Sequence, residues 1–279
     1  MTCWKAAVDE QCPEVQGLIA REQEFEAALV LRDWCAQTMN HSHADLLVPV
    51  KTPVEEMYRQ FTEYRAGAWC SAAAHFYAET LKVFGFRATV FTYGYPGDMS
   101  HTTTLVYCRK AGRGLPDMAI FVVDSYFGYH YTDAKTRRPL TLQELLIRVI
   151  ERQEETIYIQ QNKNLRRAFI TPPDPAWRQA WMWPPGQIPE PKKLPHAWVY
   201  PGAFVDMVKL LKTGSYADLV SEKCRALGMG RHEFLLNLLL VNPDFGPFVL
   251  YDGGWPDLLL REYIITTIGR ALARERGMV

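Results

Sequence analysis

A helix-forming run from Cys70 to Gly85 is followed by three β-like runs, Arg87–Tyr93, His101–Cys108 and Ala119–Asp124. That succession constrains the chain more than any other feature. The helix is slim on one side, because Ala72, Ala73 and Ala74 follow the cysteine directly. A helix faced with alanine packs closely on a sheet. Gly85 is a good residue to end it. The second and third β runs flank a Gly- and Arg-rich stretch, Lys110–Pro116, and read as an antiparallel hairpin. The first two flank the turn Pro96-Gly97-Asp98. The expected fold class is therefore α+β.

More helices precede this unit. Residues from about Glu24 to Met39 carry an apolar stripe of Ala27, Val30, Leu31, Trp34 and Cys35 at helical spacing. Thr52, Pro53 and Glu55 have the spacing of N-cap, N1 and N3 in a capping box, predicting a helix to about Tyr64. Thr141 and Glu144 form a second box, with a helix to about Arg152. A short strand is expected near Thr156–Gln160.

Between Pro172 and Pro201 lie nine of the 18 prolines and four of the eight tryptophans. Proline fixes φ and removes a donor, so this segment is expected to be irregular. Its tryptophans make it a packed strap rather than a free linker. Beyond it, helices are expected from Ser215 to near Gly228, through the apolar Leu235–Val241, and from Pro256 to about Glu275. The expected organisation is a core over residues 1–170, a strap over 171–201 and a helical region over 202–279. The C-terminal helices offer either a cover for a cleft or a face for a homo-oligomer.

The 31 Lys+Arg balance 31 Asp+Glu, which removes the simplest case for nucleic acid. No apolar stretch is long enough for a membrane span. The N-terminal segment lacks the roughly 7–15-residue apolar core of a secretory signal. A cytoplasmic protein that does not bind membranes is expected. The six cysteines include no CxxC pair, and free thiols are expected. His41 and His43 are spaced two apart without nearby acids or cysteines, a poor metal signal. No metal or cofactor is expected.

Cys70 carries the chemistry. It sits where the loop Gly67-Ala68-Trp69 turns into a helix. Unpaired N–H groups and the helix dipole favour a thiolate there and can hold a developing oxyanion. A thiol nucleophile needs a base, and the base needs an orienting group. Pairing Cys108 with Ala119 in the hairpin sets Asp124 opposite Thr103 and Tyr126 opposite His101. His101 and Asp124 then share a face as diagonal neighbours, about 7–8 Å apart at Cα. A one-residue slip would break that parity. The predicted roles are Cys70 as nucleophile, His101 as proton acceptor and donor, and Asp124 as orienter of the imidazole. Tyr126, Phe127, Tyr129 and Tyr131 read as an aromatic cluster, either core or cleft wall. Cys108, near a basic loop, is either a lowered-pKa thiol or an ordinary strand residue.

The order of a cysteine at a helix N-terminus, then Gly85-Phe86-Arg87-Ala88-Thr89-Val90, a histidine opening a strand and Val122-Val123-Asp124 closing the next resembles the transglutaminase-like family of the papain-like cysteine proteinase superfamily. The helix bearing Leu31-Arg32-Asp33-Trp34 is similar to one preceding the core in bacterial members. The resemblance covers residues about 25–130. It implies a helix bearing Cys70 packed on an antiparallel sheet, with Cys70, His101 and Asp124 matching the catalytic triad. It also implies chemistry on amide, peptide or ester carbonyls through a thioester, with a peptide, protein or other amide or ester as substrate. Trp34 lies where some relatives place a second oxyanion donor. Trp69 and Tyr126 would line the substrate cleft. The chain departs from the family at Ala68, where glycine is common, at Ala73, where an aromatic is common, and at His101-Thr102-Thr103 in place of His-Ala-Trp. These departures motivate an alternative: an inactive member that binds a peptide, glycan or protein.

Overall fold

The structure is a computed structural model that describes residues 3–39, 47–50, 52–93, 101–109, 118–150, 153–162, 204–205 and 248–250. The helices are α1 (Cys3–Gln11), α2 (Glu14–Ala20), α3 (Glu24–Thr38), α4 (Val54–Glu63), α5 (Cys70–Val83) and α6 (Leu142–Ile150). The strands are β1 (Leu47–Val48), β2 (Gly67–Ala68), β3 (Arg87–Tyr93), β4 (His101–Arg109), β5 (Met118–Asp124), β6 (Tyr129–Asp133), β7 (Ile157–Gln161) and β8 (Phe248–Leu250). Strands β1 and β2 form a short parallel pair, and the larger sheet has the order β7-β6-β5-β4-β3-β8. β5 is antiparallel to β4 and to β6. The fold is α+β with an antiparallel sheet. No helix among the described residues is long and apolar enough to cross a membrane.

The chain divides into two compact units. The first holds Met1–Phe91, Thr102–Tyr131 and Gln160–Pro173; the second holds Thr92–His101, Thr132–Ile159 and Asp174–Val279. In the first, α5 is the central helix, with Ala72, Ala73, Ala74, Phe76, Tyr77, Ala78, Thr80 and Leu81 buried. The alanine face lets the sheet approach the helix backbone itself. Thr104 Oγ1 donates to the Ala74 carbonyl at 3.2 Å, and Ser125 Oγ to the Ala73 carbonyl at 3.1 Å. α3 packs against both α5 and the sheet: the Tyr77 hydroxyl donates to the Ala28 carbonyl at 2.8 Å, and Phe25 meets Phe121 of β5 at 4.2 Å. Residues 101–108 of β4 are buried without alternation, so both faces of that strand are covered.

α5 ends as its glycine predicts. Gly85 has φ +83°, the Gly85 N–H reaches the Lys82 carbonyl, and the Phe86 N–H reaches the Leu81 carbonyl. This is the Schellman arrangement. A Cβ built on Gly85 meets nothing within 4 Å, so an added methyl costs backbone strain alone. Gly85→Ala is expected to lower stability by about 1 kcal/mol, read as a fall in the urea midpoint at unchanged m-value.

The box predicted at Thr52 does not form. α4 starts at Val54, and Pro53, at φ −55° and ψ 142°, is its N-cap, with no side-chain cap. An extended proline there moves Thr52 outside the helix, so its hydroxyl has no first-turn N–H to meet. The box at Thr141 does form in the second unit. The Glu144 N–H donates to Thr141 Oγ1 at 3.2 Å, and the Thr141 N–H to Glu144 Oε2 at 2.9 Å. In the same unit Asp133 accepts from the Thr136 N–H at 2.7 Å and from Arg148 Nη2 at 2.7 Å. These bonds hold its carboxyl well below the ordinary carboxylate range. The expected turn at Pro96-Gly97-Asp98, loop at Lys110–Pro116, His41 and His43 and the strap all lie outside the described residues. So does the C-terminal region, apart from residues 204–205 and β8.

Candidate active site

Cys70 is the first residue of α5. The short β1–β2 pairing, Leu47 with Gly67 and Val48 with Ala68, holds the backbone just before it. Trp69 is the N-cap, extended at ψ 166°, and the helix has no side-chain cap. An indole has no acceptor for the first-turn N–H groups, so the helix start is not capped by its own sequence, in contrast to α6. Cys70 is half-exposed, whereas Cys12, Cys35 and Cys108 are buried; none of the four is in a disulfide. Burial pushes the Cys35 thiol well up and Cys12 up to about 11. Cys108 is likewise pushed up, by burial first and then by Glu24 and Glu26. It is a buried strand thiol whose pKa is raised rather than lowered. Cys70 is the accessible thiol among the four.

The hairpin register matches the prediction: Cys108 pairs with Ala119, and the ladder runs to Thr104 opposite Val123. Asp124 is the next residue, fully buried, and it pairs with Tyr129 on its other side. Thr103 Oγ1 donates to the Val123 carbonyl at 2.9 Å. The prediction that the register continues to Tyr126 opposite His101 is overturned, because β5 stops at Asp124. There Asp124 Oδ1 accepts the Phe127 N–H at 2.6 Å, and this Asx-type bond turns the chain toward β6. Tyr126 therefore sits in a turn rather than on a strand. Ser125 ties that turn to Ala73, less than one helical turn beyond Cys70. The Tyr126 phenol is pushed up by burial, then by the charges of Cys70 and Asp124. His101 opens β4, is fully buried and falls in the second unit.

Trp34 is placed by the helical layer. Its ring stacks on Tyr58 and Phe76, and its N–H donates to Gln11 Oε1 at 3.0 Å. It borders a surface groove with Gln11, Tyr58 and Arg65 rather than with Cys70. All four residues of the aromatic cluster are buried, Tyr126 and Phe127 in the turn after β5 and Tyr129 and Tyr131 in β6.

Sequence reasoning missed a partly buried polar network in the first unit. Arg32 Nη2 lies 2.6 Å from Asp33 Oδ1, and Arg32 Nη1 lies 3.0 Å from His130 Nδ1. Asn162 Nδ2 donates to Asp33 Oδ2 at 2.8 Å. A guanidinium only donates, so His130 Nδ1 accepts and the ring is neutral with its proton on Nε2. Burial, then the Arg32 charge, lowers the His130 pKa to about 3. The one sequence signal was a charged pair, Arg32-Asp33, inside an apolar helical stripe.

Among the described residues, no group of three or more His, Cys, Asp or Glu side chains is arranged to hold a metal. No protein-family model matches the chain, and no curated protein matches it.

Proposed function

We propose that this chain is a thiol-dependent acyl-transfer enzyme with a transglutaminase-like core, acting as hydrolase or transferase on an amide, peptide or ester bond. The observation that carries the reading is Cys70: a half-exposed thiol at the start of a 14-residue helix without a side-chain cap. The turn bearing Asp124 and Tyr126 is tied to that helix's first residues. The Cys70 sulfur attacks the acyl carbon, and the carbonyl oxygen takes the electron pair. The first-turn N–H groups of α5 and the positive end of its dipole stabilise that charge. His101 takes the thiol proton and returns it to the leaving group, and Asp124 orients the imidazole. Water or an amine then resolves the thioester. Asp124 spends Oδ1 on the turn, but a carboxylate has two acceptor oxygens.

The test is alkylation by iodoacetamide at pH 6.5, with modified residues mapped by mass. Cys70 is expected to react at least about tenfold faster than the same residue in the urea-unfolded chain, as a thiolate favoured by its surroundings does. Equal rates in the folded and unfolded chains would sink the reading.

A further inference from the structure

We propose that the groove bordered by Trp34 is a binding site for a small aromatic carboxylate, with Arg65 as the residue that holds the anion. Cys70 does not line this groove, and the proposal is independent of the acyl-transfer reading. The groove lies within the first unit, between the C-terminal ends of α1 and α3 and the second half of α4. It encloses about 370 Å³, room for a small organic molecule. Trp34 and Tyr58, stacked at 5.9 Å and 18°, form the aromatic part of its wall.

Arg65 follows the C-cap of α4 at φ +52°, and the next N–H, of Ala66, donates to the Gln60 carbonyl at 3.0 Å. Glycine is the usual residue for a left-handed helix end, and α5 uses Gly85 there. Arginine in that place holds its backbone in a sparsely populated region, as residues at ligand clamps do. Arg59 of the same helix spends its guanidinium on Glu56, Glu63 and Tyr64. Arg65 makes no ion pair or side-chain hydrogen bond among the described residues, and no acidic side chain among them lines the groove. An indole N–H only donates, so Gln11 turns Oε1 toward Trp34 and keeps its NH2 group to donate elsewhere. The exposed Gln37 amide on the same wall has no partner among the described residues either. One guanidinium fork beside two amide donors fits the two oxygens of a carboxylate. A single cation also balances one negative charge, whereas a phosphate monoester carries nearly two.

The experiment titrates the full chain with phenylacetate and with its uncharged analogue phenylacetamide, read by ligand-observed NMR. Wild-type protein is expected to bind the acid with a roughly millimolar Kd, and at least about fivefold tighter than the amide. Arg65→Gly is expected to remove that preference and leave amide binding within about twofold. The variant should still fold, because glycine relieves the left-handed backbone and so offsets the extra freedom it gives the unfolded chain. Should it lose its cooperative melt, Arg65→Asn makes the same comparison with a residue that tolerates positive φ. Equal wild-type affinities for acid and amide, no acid binding up to about 20 mM, or a preference that survives in the Arg65 variants would each overturn the site. A carboxylate could also occupy the surroundings of Cys70. Phenylacetate is therefore expected to leave the rate of Cys70 alkylation by iodoacetamide unchanged. A slowing that persists in Arg65→Gly would place the acid at the thiol and overturn the groove assignment.

Discussion

Cys70→Ala is expected to abolish turnover of p-nitrophenyl acetate by the chain, with a loss on the order of 10⁴-fold or more. The fold should survive. Cys70 is half-exposed at the first position of α5, and alanine is the best helix former. The change in stability is expected to stay below about 0.5 kcal/mol, so the melting curve separates lost chemistry from lost structure. Asp124→Asn sharpens the test. Asparagine keeps an oxygen at Oδ1 to accept the Phe127 N–H, so the turn remains, while the charge that would orient an imidazole goes. Its activity is expected to fall by about 10²–10⁴. A Cys70→Ala protein that turns over the ester at the wild-type rate, with hydrolysis traced to another residue, would end the triad.

Local signals were the legible ones. The strand Arg87–Tyr93 was bounded by Gly85 and by the turn residues after it. The helix Cys70–Val83 was bounded by its loop and by Gly85. Thr141 with Glu144 was a complete box in four residues. The hairpin pairing of Cys108 with Ala119 followed from two hydrophobic runs that tolerate little slip. What was missed lacks local signatures. Tyr129–Asp133 is a strand whose first four residues are all buried, so the alternation that marks a half-exposed strand is absent. The Thr52 box had the right letters, but Pro53 is extended and the helix starts one residue later. The turn that carries Tyr126 depended on one bond from Asp124, and extending the strand register past it placed Tyr126 wrongly. The Arg32 network joins residues 98 and 129 positions apart. One sequence contains nothing that links Arg32 to His130 or Asp33 to Asn162.

That network sets the second large effect, an acid-sensitive stability. His130 is 6% exposed, and its pKa falls from 6.5 to about 3 on folding. Between those values the unfolded chain binds a proton that the folded chain refuses. Stability is therefore fully present above about pH 6.5 and is lost as pH falls toward 3. Carboxylates with ordinary values contribute little above pH 5, so the limb from pH 6.5 to 5 isolates histidine. Over that limb His130 is expected to account for about 2 kcal/mol of lost stability, read from urea midpoints at fixed salt. His130→Asn keeps an oxygen for Arg32 to donate to but cannot titrate, and its limb should flatten by that amount. Parallel curves for the two proteins would refute the assignment. Arg32→Met separates the two causes of the shift. Desolvation is the larger, so the limb should shrink without vanishing once the guanidinium is gone. A limb that vanished with Arg32 would instead mean that charge repulsion, not burial, keeps the ring neutral.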